Sequence, residues 1–343
     1  MTMLMEKKVD WLRIPIDKAI RKKLMERSDA RGFLQIIPQL LFSVLTGAGV
    51  VYSFYHLPWP FTLLALFIRG TCFTFLGEHA AIHELSHGTV FKTKGLNEFF
   101  LRLCGFITWK NVIFYRASHI RHHMATVHRD QDLEVPLPYR ITLWQWIQYY
   151  TFDFTRFQSC AGMILRHSFG MLSGDWENHL FPETDQKARK QLFGFSRAVF
   201  IGQLCILSLI LYLKLWILLA IFTVPFYATW LAWLVTIPQH AGLQPDSTDF
   251  RLCCRSAKVD PFTLFMHWKM DYHVEHHMHA GIPFYNLPKL RKAIEGNLPP
   301  MDGFFKTWRE IRCTLKRQKK EPGYYYTPSL PPTETEQALD PAV

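Results

Sequence analysis

The chain has 343 residues, 49% of them hydrophobic and 15% aromatic, with a formal net charge of +11 and a pI near 9.3. That length suits one large or two modest domains, and the charge favours anionic partners. Nucleic acid is excluded as the main partner: no zinc-finger, helix-turn-helix or RNA-binding signature is present, and the basic residues flank apolar runs of membrane-spanning length, so a membrane surface accounts for the charge.

Taken in order, residues 1–32 hold nine Lys or Arg, five acidic residues and no apolar core of a signal peptide. Trp11, Leu12, Ile14, Ile16, Ile20 and Leu24 are interspersed with charge, which predicts an amphipathic basic helix on the membrane surface. Residues 33–313 read as a single membrane domain. Four runs near the ~20 residues needed to cross a bilayer lie at about 33–54, 59–77, 192–213 and 215–237. Short joins at Tyr55–Pro60 and around Lys214 make them two helical hairpins. The joins are nearly free of Lys and Arg, whereas the rest is rich in both. The positive-inside rule therefore places both termini, and everything outside the hairpin tips, in the cytoplasm.

Arg69 falls inside the second run, where a lone charge costs at least ~2.5–3.5 kcal/mol, so it requires a partner or polar cavity. Pro38 and Pro225 predict kinks. Between the hairpins, Phe99–Tyr115 is only half apolar, and Leu143–Tyr150 is rich in interface-seeking aromatics. Both predict helices lying on or dipping into the cytoplasmic leaflet. Near the end, Asn286 can cap a helix beginning at Leu287-Pro288 and stopping at Gly296. Residues 314–343, basic and then rich in Pro, Thr and Glu, predict a disordered tail. The fold class is thus an all-α membrane protein, about four transmembrane helices in two hairpins under a helical cytoplasmic cap.

Seven cysteines (Cys72, Cys104, Cys160, Cys205, Cys253, Cys254 and Cys313) are scattered without a Cys-x-x-Cys. They indicate neither a disulfide framework nor a thiolate metal site. The histidines are organised instead. Of sixteen, eight fall in three clusters: His83 and His87; His119, His122 and His123; and His273, His276 and His277. On a helix, positions i, i+3 and i+4 share one face, so each cluster can aim neutral nitrogen donors at one point. Imidazole suits iron, zinc and copper, and eight or nine of them are too many for one ion and about right for two. Ligating imidazoles need their other N–H held. Glu84, Asp130, Asp132, Glu134, Asp271 and Glu275 alternate with the clusters and can serve, or can be solvated surface carboxylates. A metal-transport site is a competing class, but transporters place polar ligands near the midplane of the spans, and here the histidines gather outside them on one face.

The order and context of these clusters resemble the membrane fatty-acid desaturase and hydroxylase superfamily. Flanking residues add to the resemblance: Gly88, the run Asp130–Pro136, Tyr272, Pro283 and Leu287-Pro288. It extends over about residues 35–300. The resemblance implies a di-iron site with His240 as a further ligand, and Thr236 at a position where several relatives carry Asn. His79, four residues before His83, is a further candidate, with hydrogen bonding or packing as its other role. It also implies dioxygen as co-substrate and a membrane-borne acyl or lipid substrate, into which a double bond is introduced. Hydroxylation is the alternative, kept open by His240-Ala-Gly-Leu-Gln244, and decarboxylation to a 1-alkene is another. Front-end desaturases begin the third cluster with Gln, and this chain has His273. No haem, Rossmann or iron–sulfur motif is present, so electrons must come from a separate ferredoxin or b-type cytochrome with its reductase. The expected location is a bacterial inner membrane or the endoplasmic reticulum. Thr71, Phe73, Thr74 and Phe75, below His83, are candidates either to line a substrate tunnel or to pack helix on helix.

Overall fold

A computed structural model describes residues 8–331 apart from 136–138 and 140. The described chain is mostly helical; its one sheet pairs Ala257–Lys258 (β1) in parallel with Asp302–Gly303 (β2). The first long helix follows a short one, α1 (Lys18–Leu24). It is α2 (Asp29–His56), started by Ser28, whose hydroxyl accepts from the Arg31 amide, and it carries Pro38 inside it. It packs along α3 (Trp59–Phe73), which begins behind Pro58 with Pro60 in its first turn and tightens to a 3₁₀ turn at Thr74–Leu76 before resuming as α4 (Ala81–Ser86). α5 (Lys94–Ile107) and α6 (Val112–Met124) follow, split by Trp109 at φ 57°. α7 (Leu143–Tyr150), α8 (Phe154–Ser168) and α9 (Gly174–Leu180) lead to the second long helix, α10 (Gln186–Tyr212). Then come α11 (Ile217–Phe222), α12 (Trp230–Thr236), α13 (Phe250–Cys253), α14 (Pro261–Met266), α15 (His273–Met278), α16 (Leu287–Ile294) and α17 (Phe304–Gln318).

Among the described residues, three helices are long and apolar enough to cross a membrane: Asp29–His56, Trp59–Ser86 taken through its 3₁₀ turn, and Gln186–Tyr212. Leu34, Leu41, Val44 and Leu45 of α2 are exposed, an apolar outer surface suited to lipid rather than water. The fourth expected run, 215–237, is not one helix. It breaks into α11, a 3₁₀ turn at Val224–Phe226 and α12, because Pro225 cannot continue the hydrogen-bond ladder and Ala228 takes φ 51°. Broken backbone inside an apolar layer needs partners, and the 151–153 segment provides them: Asp153 N donates to Phe226 O and Ala228 N to Thr151 O. Gly70 of α3 lets that break approach; a Cβ there would lie 2.3 Å from Tyr227 O.

Arg69 finds partners on α2. Its Nη1 donates to the Ser43 carbonyl and the Thr46 hydroxyl, and its guanidinium lies 5.5 Å from the Phe73 ring. The N-terminal segment differs from expectation. Among its described residues before α2, only Lys18–Leu24 is helical, and residues 8–17 run without helix over the body of the protein. Trp11 stacks on Phe250 at 4.0 Å and donates to Met124 O, Leu12 bridges to Asp249, and Ile14 and Leu24 are buried. Residues 1–7 lie outside the described residues. The C-terminal segment expected to be disordered from 314 stays in α17 to Gln318, and beyond it Tyr326 N donates to Gly242 O; 332–343 lie outside the description. Asn286 does precede α16, but its side chain does not cap it; the amide donates to Leu24 O and the oxygen accepts from Arg31, tying the N-terminal segment down.

Candidate metal centre

Three local structures hold the histidine clusters. His83 sits on α4 and His87 one residue past its end. α6 is started by Asn111, whose oxygen accepts from Ile113 N and Phe114 N while its amide grips Leu192 O and Ser196 Oγ of α10; one Asn thus starts the helix carrying the second cluster and docks it. α15 begins where Ser256 Oγ accepts from Val274 N. In all three, helical spacing turns the imidazoles to a common side.

The rings converge in two groups. His83, His87, His119, His123 and His276 have ligating atoms within 4.8 Å of one another, as do His122, His240 and His277. His273 joins the second group, its Nε2 being 2.9 Å from His240 Nε2 and 3.0 Å from His277 Nε2. In the first, His119 Nε2 is 3.1 Å from both His87 Nε2 and His123 Nε2, and His276 Nε2 is 3.2 Å from His123 Nε2.

The surrounding hydrogen bonds assign the tautomers. His240 Nδ1 lies 2.9 Å from the Cys253 carbonyl, which can only accept. His83, His119 and His122 place Nδ1 at 3.0, 2.7 and 2.7 Å from Glu84, Glu134 and Asp132. Thr126 spends its hydroxyl proton on His122 O at 2.7 Å, so toward His277 Nδ1, at 3.1 Å, it can only accept. Each of these rings therefore presents an Nε2 lone pair toward its group. Lone pairs facing one another near 3 Å repel unless a cation lies among them. Burial also keeps the donors neutral: it lowers His87 and His240 to about 3 and, with neighbouring imidazoles, holds His119, His123, His273, His276 and His277 well below the ordinary value. His122 is the exception, because the Asp132 carboxylate outweighs burial and raises it. The residues fit two cations held by imidazole.

Of the carboxylates expected to support the rings, Glu84, Asp132 and Glu134 do so; Glu84 also lies 3.5 Å from His276 Nδ1. The other three do not. Asp130 is exposed. Asp271 turns to His267, at 3.3 Å. Glu275 is bound by Arg291 at 2.8 Å and Ser256 at 2.5 Å, facing away from the cluster in which it sits. His79 is buried with Nδ1 3.0 Å from Thr236 Oγ1, in neither group. Thr126 and the Cys253 carbonyl were not legible in the sequence. Tyr115, stacked on His119 at 5.2 Å, could have been found from its i−4 position. Asp132 Oδ2 holds both His122 Nδ1 and Val127 N, and Oδ1 holds Glu134 N. Asp132→Asn should therefore weaken metal binding about 10–100-fold in a chelator competition titration, with Asp130→Asn unchanged.

Cavities border the groups on two sides. One of about 370 Å³ touches His83, His119, His122, His240 and His273, and includes Trp176, Trp233 and Met270. Its polar wall is Glu78, gripped by Arg156 and Lys110. The other, about 870 Å³, has His87, His123 and His277 along it with Lys8, Arg13, Arg21 and Arg121 around them. Thr71, Phe73, Thr74 and Phe75 are buried in helix packing, with Thr71 accepting from Trp230 Nε1, and none of the four borders the first cavity.

Comparison with known proteins bears on this geometry. The family model for fatty acid desaturases matches residues 57–308. The chain is also 24% identical over 337 residues to an acyl-lipid (9+3)-(E)-desaturase of Dimorphotheca sinuata, covering 88% of this chain and 86% of that protein.

Proposed function

This chain belongs to the fatty acid desaturase family, and on that premise we propose that it is a dioxygen-dependent membrane oxidoreductase that introduces a double bond into a long-chain acyl or lipid substrate. The observation that carries the reading is the convergence of nine imidazoles in two groups beside a cavity. His83, His87, His119, His123 and His276 would hold one iron ion and His122, His240, His273 and His277 the other. Bound there, the pair supplies the oxidising power to take hydrogen from an unactivated methylene, with dioxygen and external electrons consumed.

The chain's own part is positioning. Glu84, Asp132, Glu134, Thr126 and the Cys253 carbonyl keep the Nδ1 protons of His83, His122, His119, His277 and His240 in place, so that Nε2 of each of these five rings is free to ligate. Trp176, Trp233 and Met270 give the substrate cavity an apolar lining that orients a hydrocarbon and excludes water. On the opposite side, Lys8, Arg13 and Arg21 suit an acidic ferredoxin or b-type cytochrome. α2, α3 and α10, with the broken α11–α12 segment as a fourth crossing, form a multi-pass anchor. The positive-inside rule puts the histidines and both termini in the cytoplasm, in a bacterial inner membrane or the endoplasmic reticulum.

Expression in a host of known lipid content, followed by mass spectrometry, tests the reaction. A product lighter by two hydrogens is expected; one heavier by an oxygen would transfer the chain to hydroxylation, and no oxidised lipid in iron-replete cells would overturn the reading.

A further inference from the structure

Next to the histidine cavity lies a larger one of about 1050 Å³ that the chemistry above does not use. Trp146 of α7, Leu234 of α12, and Trp308 and Leu315 of α17 give it an apolar wall. Trp308 is fixed there by its Nε1–H, which donates to Leu234 O. Arg312, Lys316 and Lys319 line it as well. Their i, i+4, i+7 spacing puts them on one face of α17 and its last turn.

The helix dipole favours a basic last turn in general. It does not explain why three cations share the face that walls an apolar cavity. Arg317, on another face, is engaged, with Glu321 at 3.0 Å and the Tyr324 ring at 3.9 Å. Among the described residues, no carboxylate stands within ion-pair reach of the other three. The elements around the cavity also present apolar side chains outward: Leu143 and Trp144 on α7 are 78% and 61% exposed, and Phe305 on α17 is 86% exposed. Such a surface rests in the headgroup layer of a bilayer.

We infer that this cavity seats one anionic phospholipid, with its phosphate on Arg312, Lys316 and Lys319 and one acyl chain against Trp146, Trp308 and Leu315. Charge complementarity selects the head group, and the apolar outer surface selects a molecule delivered from the membrane. Tyr139 borders both this cavity and the histidine cavity, so the chain's way to the histidines passes that ring. Only this last step rests on the proposed reaction; the seat itself does not.

The test uses full-length protein in detergent, equilibrated with equal dioleoyl phosphatidylglycerol and dioleoyl phosphatidylcholine, with retained lipid weighed by native mass spectrometry. The wild type should retain phosphatidylglycerol about tenfold over phosphatidylcholine, and the triple variant R312Q/K316Q/K319Q, altered only at exposed positions, should lose that preference. Equal retention by the wild type, or an unchanged preference in the triple variant, would overturn the inference. So would complete displacement by palmitoyl-coenzyme A, which would give the site to a soluble thioester. Retention is read without turnover, so inactivity toward any lipid counts against the reaction and leaves this result intact.

Discussion

His276→Ala is expected to abolish product formation, by at least about 100-fold, since removing a ligand should exceed the 10–100-fold cost of removing a ligand's support. His276 is fully buried, its Nε2 stands 3.2 Å from His123 Nε2, and its ring lies 4.7 Å from those of His83 and His87. The substitution removes one of the five donors of its group and leaves Glu84 with one imidazole where it had two. Product by mass spectrometry and bound iron on the same preparation check it, with His179→Ala, on α9 and in neither group, as the control. Activity at the wild-type level would mean that the third cluster does not hold metal.

Glu275→Ala should act on stability more than on chemistry, although its residue lies between two of the histidines. The carboxylate accepts from Arg291 and Ser256, and Arg291 is itself buried, with Nη2 donating to Pro299 O. Removing one partner of a buried pair strands the other, at a cost of about 3–5 kcal/mol. Thermal unfolding in detergent measures it. The double variant Glu275→Ala/Arg291→Met should recover a large part of the loss, because the stranded charge is gone. A single-variant loss under about 1 kcal/mol, flagged by no change in unfolding, would contradict the pairing.

Glu275 also shows where sequence stops informing about the site. The three clusters were legible because i, i+3 and i+4 spacing fixes a shared face whatever the tertiary context. Their supports were legible only in part: Glu84, Asp132 and Glu134 lie near the rings both in sequence and in space, whereas Asp271 and Glu275 lie near them in sequence alone. Nothing in the run His273–His277 says that Arg291, on the next helix, claims the carboxylate. The Cys253 carbonyl is invisible in principle, since every residue has one. The fold divides in the same way. Hydropathy found α2, α3 and α10, but it averages across Pro225 and does not register that Ala228 turns to positive φ, so it read the broken segment as a helix. The extended N-terminal segment is held by Trp11 on Phe250, a contact across more than two hundred residues, and local amphipathicity suggested a surface helix instead.

Metal content tests the central claim most directly. Protein purified from iron-replete cells should carry about two iron ions per chain, as two groups of four to five imidazoles require. Stripping with a chelator should abolish lipid oxidation, and ferrous iron should restore it. Full activity with one ion or none per chain, or full occupancy by zinc with activity retained, would contradict the account.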